Sequence, residues 1–313
     1  MNEKELNKSI LSELAYFDIF EHPLTPMEVW RFVSVKEASL LDVIQALEQA
    51  VVDSVIGSKW GFYFLPGREH AVELRLRRYR EAEDKYGKAV KYIRRLSKLP
   101  FIRMIGVCNS LAYSNSRLEG DIDFFIVTEP GRIWTARFYT AGYLKLMNER
   151  PEADNTRDKI CLTFFLTPES FDLRSIKISE PDIYLAHWIK QVVPIYDPDG
   201  LYEKFLSANQ WVNELFPHCY PNQPPPIRQV NKIMHRPVIQ KIIEKIHQGR
   251  IGNWLEIKYQ KIQENVLPPG LRELINKDSR VVLSDKMLKF HHNDRREQYQ
   301  RAWLEKKSIL IPR

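Results

Sequence analysis

Residues 101–128, FIRMIGVCNSLAYSNSRLEGDIDFFIVT, constrain the fold more than any other stretch, because two apolar runs flank a loop crowded with polar and metal-binding side chains. Phe101–Cys108 and Phe124–Val127 are rich in β-branched and aromatic residues and read as buried strands of one sheet. The intervening loop opens on Asn109 and Ser110, a residue that tolerates positive φ followed by a small hydroxyl, as a backbone needs when it approaches a ligand closely. It closes on Gly120, Asp121, Ile122 and Asp123. Side chains alternate across a strand, so Asp121 and Asp123 share one face while Ile122 turns to the core. Two adjacent carboxylates repel unless a cation sits between them or one takes a proton. Magnesium suits such a pair, since it prefers one or two protein carboxylates and completes its shell with water and substrate phosphates. An Asp-x-Asp pair alone also opens many solvent-exposed strands, so its surroundings decide its meaning.

Those surroundings form an ordered pattern: strand, Asn-Ser, a step of eleven residues from Ser110 to Asp121, Asp-x-Asp, apolar strand. The pattern resembles the nucleotidyltransferase superfamily that includes DNA polymerase beta, aminoglycoside nucleotidyltransferases and the small bacterial MNT-type proteins. Ser110 and Ala112 match that family's Gly-Ser-x-Ala run, with Asn109 where the glycine usually stands. The resemblance implies an α+β fold with a mixed sheet and flanking helices. It implies Mg2+ held by Asp121 and Asp123, an NTP bound near Asn109, Ser110 and Arg132, and transfer of a nucleoside monophosphate to a hydroxyl on an unidentified acceptor. The family adds a third acidic residue from a neighbouring strand. Here Ile160–Leu166 carries no carboxylate; Asp158 lies just before it, Glu169 and Asp172 just after. Asp158 is nearest to strand geometry and is the expected third catalytic group. The missing strand carboxylate supports a second expectation, a catalytically degenerate nucleotide-binding or protein-interaction protein on the same fold.

Upstream, residues 1–67 read as three helices and a hairpin. Ile10, Leu11 and Leu14 begin a helical stripe, Thr25-Pro26 caps a short helix, and Leu40, Leu41, Ile44, Leu47 and Val51 mark a third, followed by strand, turn and strand from Val55 to Leu65. That order resembles a winged helix. Residues 1–56, however, hold four basic and ten acidic residues, and the third helix has neither Lys nor Arg. DNA binders draw most of their affinity from phosphate contacts, so this unit is expected to be a protein-interaction or packing module instead. Residues 68–98 read as one long helix with eleven basic and five acidic residues. Its charges form either a solvated face or, through Arg75, Arg77, Arg78 and Arg80, a positive wall for an anionic substrate.

Beyond the Asp-x-Asp strand the expected elements are a helix over 132–147 that leaves Arg132 and Arg137 near the site, a polar loop over 148–158, a buried strand over 159–167, a helix over 182–193, and a short strand before a helix reaching Phe216. Five prolines in PHCYPNQPPP, residues 217–226, exclude regular structure and mark a linker. The chain thus divides into a winged-helix-like unit (1–67), a nucleotidyltransferase-like unit (68–216) and a C-terminal helical region (217–313). Within the last, Ile239, Ile242, Ile243 and Ile246 fall in helical register, and the adjacent His291 and His292 read as part of a solvated basic face rather than a metal site. Cys108, Cys161 and Cys219 are few and widely spaced, which favours buried thiols over a disulfide or zinc framework. No apolar run nears the length of a membrane span and the N-terminus is charged, so a cytoplasmic protein without a membrane partner is expected. Rossmann, P-loop, Ser-x-x-Lys and His-Glu-x-x-His patterns are absent from the sequence.

Overall fold

The computed structural model describes residues 2–152, 155–230 and 238–311. The N-terminal unit comprises helices α1 (Glu3–Asp18), α2 (Pro26–Phe32) and α3 (Leu40–Val52) and a hairpin of β1 (Gly57–Lys59) and β2 (Phe62–Phe64). Local chemistry sets these boundaries: Thr25 with Glu28 and Ser39 with Asp42 form reciprocal capping boxes that satisfy the first free N–H groups of α2 and α3. The long α4 (His70–Leu96) follows and buries Ala82, Tyr86, Ala89, Ile93 and Leu96 at helical spacing.

A six-stranded mixed sheet organises the rest. Its strands are β3 (Ile102–Val107), β4 (Ile122–Thr128), β5 (Ile160–Leu166), β6 (Val193–Tyr196), β7 (Val281–Leu283) and β8 (Met287–Phe290), in the order β6-β3-β4-β5-β8-β7. β4 and β5 run parallel, joined through α6 (Ile133–Leu146); every other pairing is antiparallel. The short α5 (Asn109–Ala112) leaves the end of β3, and α7 (Ile183–Gln191) and α8 (Leu201–Ala208) flank β6 in sequence. Then come α9 (Val238–Ile246), α10 (Gly249–Asn265), α11 (Pro269–Arg272) and α12 (Arg296–Leu310).

Each face of the sheet carries its own core. Met104, Phe125, Val127, Phe164 and Leu166 join α7, α8 and the N-terminal unit in one continuous apolar cluster. Ile105, Phe124, Ile126 and Phe165 join α4 and α6 in the other. Residues 1–67 therefore share their core with the sheet. Trp303 of α12 donates its indole N–H to the Ser12 carbonyl at 3.1 Å, and Lys306 meets Asp18 at 2.7 Å, which binds the last helix to the first.

The region from 217 to 313 departs from a purely helical reading. The β-branched run Val281–Leu283, a polar turn and Met287–Phe290 form a hairpin whose second strand pairs with β5. The hairpin was hidden because its strands are only three and four residues long, too short for periodicity to separate from a helix turn. His291 follows β8 directly and is half-buried, so it does not lie on a solvated helical face; His292 is exposed. Of the helix expected to begin near 228, residues 231–237 lie outside the described residues, as do 153 and 154 of the polar loop. The three cysteines are free thiols, with Cys108 and Cys219 buried and Cys161 partly so.

Candidate active site

The site is built where β3 ends and β4 begins. Cys108 donates its backbone N–H to the Asp123 carbonyl, so the first turn after β3 lies against the Asp-x-Asp segment. Asn109 takes φ +54°, the left-handed conformation that asparagine tolerates at low cost. Its Oδ1 accepts a hydrogen bond from the Trp188 indole at 3.0 Å, and its side chain also reaches Asp123. Ser110 lies in the same turn, partly exposed. Ile122 is fully buried while Asp121 and Asp123 are half-buried, as strand alternation requires.

Asp121, Asp123 and Cys161 converge. One donor atom from each lies within 4.8 Å of the other two, a spacing that suits a shared metal ion. Cys161 arrives because β5 runs parallel to β4 with Cys161 in register with Asp123. Burial raises the pKa of Asp123 to about 7, helped by the charge of Asp121 and opposed by hydrogen bonds from Asn109 and Cys161. Burial also lifts Asp121 above the usual carboxylate range, against a hydrogen bond from Cys161. The Cys161 thiol is held well above its ordinary value, by burial first and then by the two aspartates. Without a cation this cluster retains protons; a divalent ion would reverse that preference and favour all three anionic forms. The two carboxylates fit a hard ion that also takes phosphate oxygens, and the thiol adds one softer donor.

Asp158 is not in this cluster. Its carboxylate pairs with the buried Lys85 ammonium of α4, which also donates to the carbonyls of Leu118 at 3.2 Å and Gly120 at 2.7 Å. Lys85 thereby anchors the loop that delivers Asp121. Arg132 does not reach the aspartates either. It follows the far end of β4, about 20 Å along the strand direction at the usual rise per residue, and its Nε donates to the His247 carbonyl at 2.8 Å. Arg137 is buried against the Phe290 ring, 4.3 Å from its centroid, and bonds Gln263 at 2.7 Å. Among the arginines of α4, Arg75 pairs with Glu28 at 2.7 Å and Arg78 with Glu21 at 2.8 Å, so both clasp the N-terminal unit instead of forming a wall.

Sequence reasoning missed two parts of the site. Cys161, expected only to be a buried thiol, stands one residue into the next apolar strand, where a neighbouring strand can meet Asp123. The second part is a cavity of about 300 Å³ lined by Asn109, Tyr184, Trp188, Lys289, Arg295 and Tyr299, among others. The Tyr184 and Tyr299 rings stack at 5.4 Å, and Asp294 bridges the buried Lys289 and Arg296 at 3.0 and 2.8 Å. Burial lowers the Lys289 pKa to about 8, opposed by Asp294. Half of this lining comes from the C-terminal segment, which no local pattern tied to the Asp-x-Asp loop. No protein-family model matches this chain, and neither a curated protein nor a solved structure matches it.

Proposed function

We propose that the protein is a divalent-metal-dependent nucleotidyltransferase with a nucleotidyltransferase-like core and a winged-helix-like unit that contacts a protein partner. The observation that carries the reading is the convergence of Asp121, Asp123 and Cys161 within 4.8 Å beside Asn109. Magnesium is the ion the two carboxylates favour; when bound, it neutralises nucleotide phosphates and stabilises in-line displacement. Asp121 and Asp123 hold the ion. Asn109 and Ser110 bring backbone and side-chain polar groups to the phosphates. The adjoining cavity supplies aromatic surface for a base from Trp188 and Tyr184 and positive charge from Arg295. The acceptor hydroxyl bonds to the α-phosphorus, pyrophosphate leaves with the cleaved bond's electron pair, and the hydroxyl proton passes to a base.

The test is incubation of the protein with each labelled NTP, magnesium or manganese, and cell extract. Label transferred to an acceptor by the wild type, and lost in Asp121→Asn with Asp123→Asn, supports the proposal. Absence of transfer with all four NTPs and both metals sinks it. One observation favours a second reading, nucleotide binding without turnover: a thiol stands where a third carboxylate is needed, and Asp158 is held by Lys85. That reading expects a nucleotide-dependent rise in melting temperature with no transferred label.

A further inference from the structure

Helices α9 and α10 are docked with the wrong side inward for ordinary amphipathic helices. On α9 the body is met mainly by polar residues: Gln240, 1% exposed, donates to the Leu99 carbonyl at 2.9 Å, and Glu244 accepts from the Phe101 N–H at 2.8 Å and from Arg103 at 3.0 Å. On α10 the contacts are again largely polar. Glu256 accepts from the Trp134 and Thr135 N–H groups at 2.7 and 2.9 Å, and Gln263 bonds both Arg137 and the Trp134 carbonyl. Ile243 and Tyr259 are half-buried, Tyr259 stacking on Phe138 of α6 at 4.2 Å, but most of the other large apolar side chains point to solvent. Ile239, Ile242 and Ile246 are 66%, 51% and 56% exposed, and Ile251, Trp254 and Ile257 are 65%, 59% and 54% exposed.

The charges are sorted in the same way. Lys241, Lys245, Arg250, Lys258 and Lys261 are all exposed on these helices, whereas Glu244, Glu256 and Glu264 are each at least partly buried and hydrogen-bonded within the protein. The outer surface therefore combines isoleucine and tryptophan with cations and, among the described residues of α9 and α10, no exposed carboxylate. A second copy of the chain docking on this surface would set like charges against each other. A helix that shows isoleucine and tryptophan between lysines is built to lie in a lipid interface, with its apolar side in the acyl boundary and its cations at anionic headgroups. No helix of the described residues is long and apolar enough to cross a membrane, so this is contact with a surface and not a span.

We propose that α9 and α10 form a peripheral docking surface for anionic lipid bilayers. α10 packs on α6 and α9 on residues 99–103, on the sheet face opposite α7 and the Asp121–Asp123 cluster, so docking leaves the site open. The inference does not depend on nucleotidyl transfer.

Vesicle flotation of the full chain tests it, with vesicles of phosphatidylcholine alone and of equal parts phosphatidylcholine and phosphatidylglycerol. The protein should float with the anionic vesicles at low salt and be released as salt rises. Lys241→Gln and Lys245→Gln should each lower partitioning about fivefold, the effect of one basic residue near an anionic surface. Ile242→Ser with Ile246→Ser should abolish flotation while leaving the circular dichroism spectrum unchanged, since both residues are exposed. Equal flotation with neutral vesicles, no flotation at all, or flotation indifferent to these substitutions would overturn the proposal. So would a stable dimer by light scattering that Ile242→Ser with Ile246→Ser dissociates, because it would assign the surface to a protein contact.

Discussion

At the level of single residues, the Asp121–Asp123 pair makes a testable link between pH, metal and stability. Burial raises the pKa of both carboxyls in the folded chain above that of an exposed aspartate. Between the unfolded value near 4 and the folded value of about 7 for Asp123, the native state therefore binds more protons than the unfolded state. Stability from this group is fully present at the acidic end of that window and is lost as pH rises through it. Asp121→Asn with Asp123→Asn should melt higher than wild type at pH 8 without metal, with the gap closing toward pH 5; thermal scans across pH check this. Magnesium with an NTP should raise the wild-type melting point and leave the double variant unmoved. Lys85→Met makes a separate prediction. It orphans the Leu118 carbonyl beneath the Asp121 loop and leaves the Gly120 carbonyl with only the Asp158 N–H, costing about 1–3 kcal/mol by denaturant titration and weakening metal-dependent nucleotide binding. The positive φ of Asn109 and the shared face of the aspartates were legible from residue types alone, because both follow from local sterics. Cys161 and Lys85 were not, because each reaches the site only through tertiary register.

At the level of elements, the strands over 102–107, 122–128 and 160–166 and the long helix of 70–96 were legible, since long periodic or β-branched runs carry their own signal. The β7–β8 hairpin was not, and neither was the outward stance of Ile239, Ile242 and Ile246. Helical register was plain in that segment, but register does not say which side meets the body; the polar anchors Gln240 and Glu244 decide it. The contact between α12 and α1 yields an element-scale prediction. Trp303 is 5% exposed and carries an indole hydrogen bond to Ser12, so Trp303→Ala should cost about 3–5 kcal/mol in chemical denaturation. A change far smaller than 1 kcal/mol would show that α12 contributes little to the fold.

Across the whole molecule, the N-terminal unit owes its core to the rest of the chain. Leu6, Ile10, Leu14 and Phe17 belong to the same cluster as Trp188, Phe205 and Trp303. Residues 1–67 expressed alone should fail to give a cooperative melt or dispersed amide resonances, even though their helices are well capped. A cooperative, well-dispersed fragment would show that the shared core is dispensable. In the sequence this stretch looks like a unit because its helices and hairpin are contiguous and patterned. Contiguity cannot reveal that the covering surface comes from elements almost 300 residues downstream.

The clasp on Asp18 has a temporal consequence. Its carboxylate is held by Arg68, 50 residues on, and by Lys306, 288 residues on. On a ribosome adding about 5–20 residues per second, the first helix waits roughly 15–60 s for its final partner to be made. Through that interval the apolar side of α1 facing Trp303 has no cover, and the ring closure that supplies it carries the entropy of a very long loop. Translation that stalls between residues 68 and 306 should therefore leave an aggregation-prone intermediate in which Arg68 alone holds Asp18.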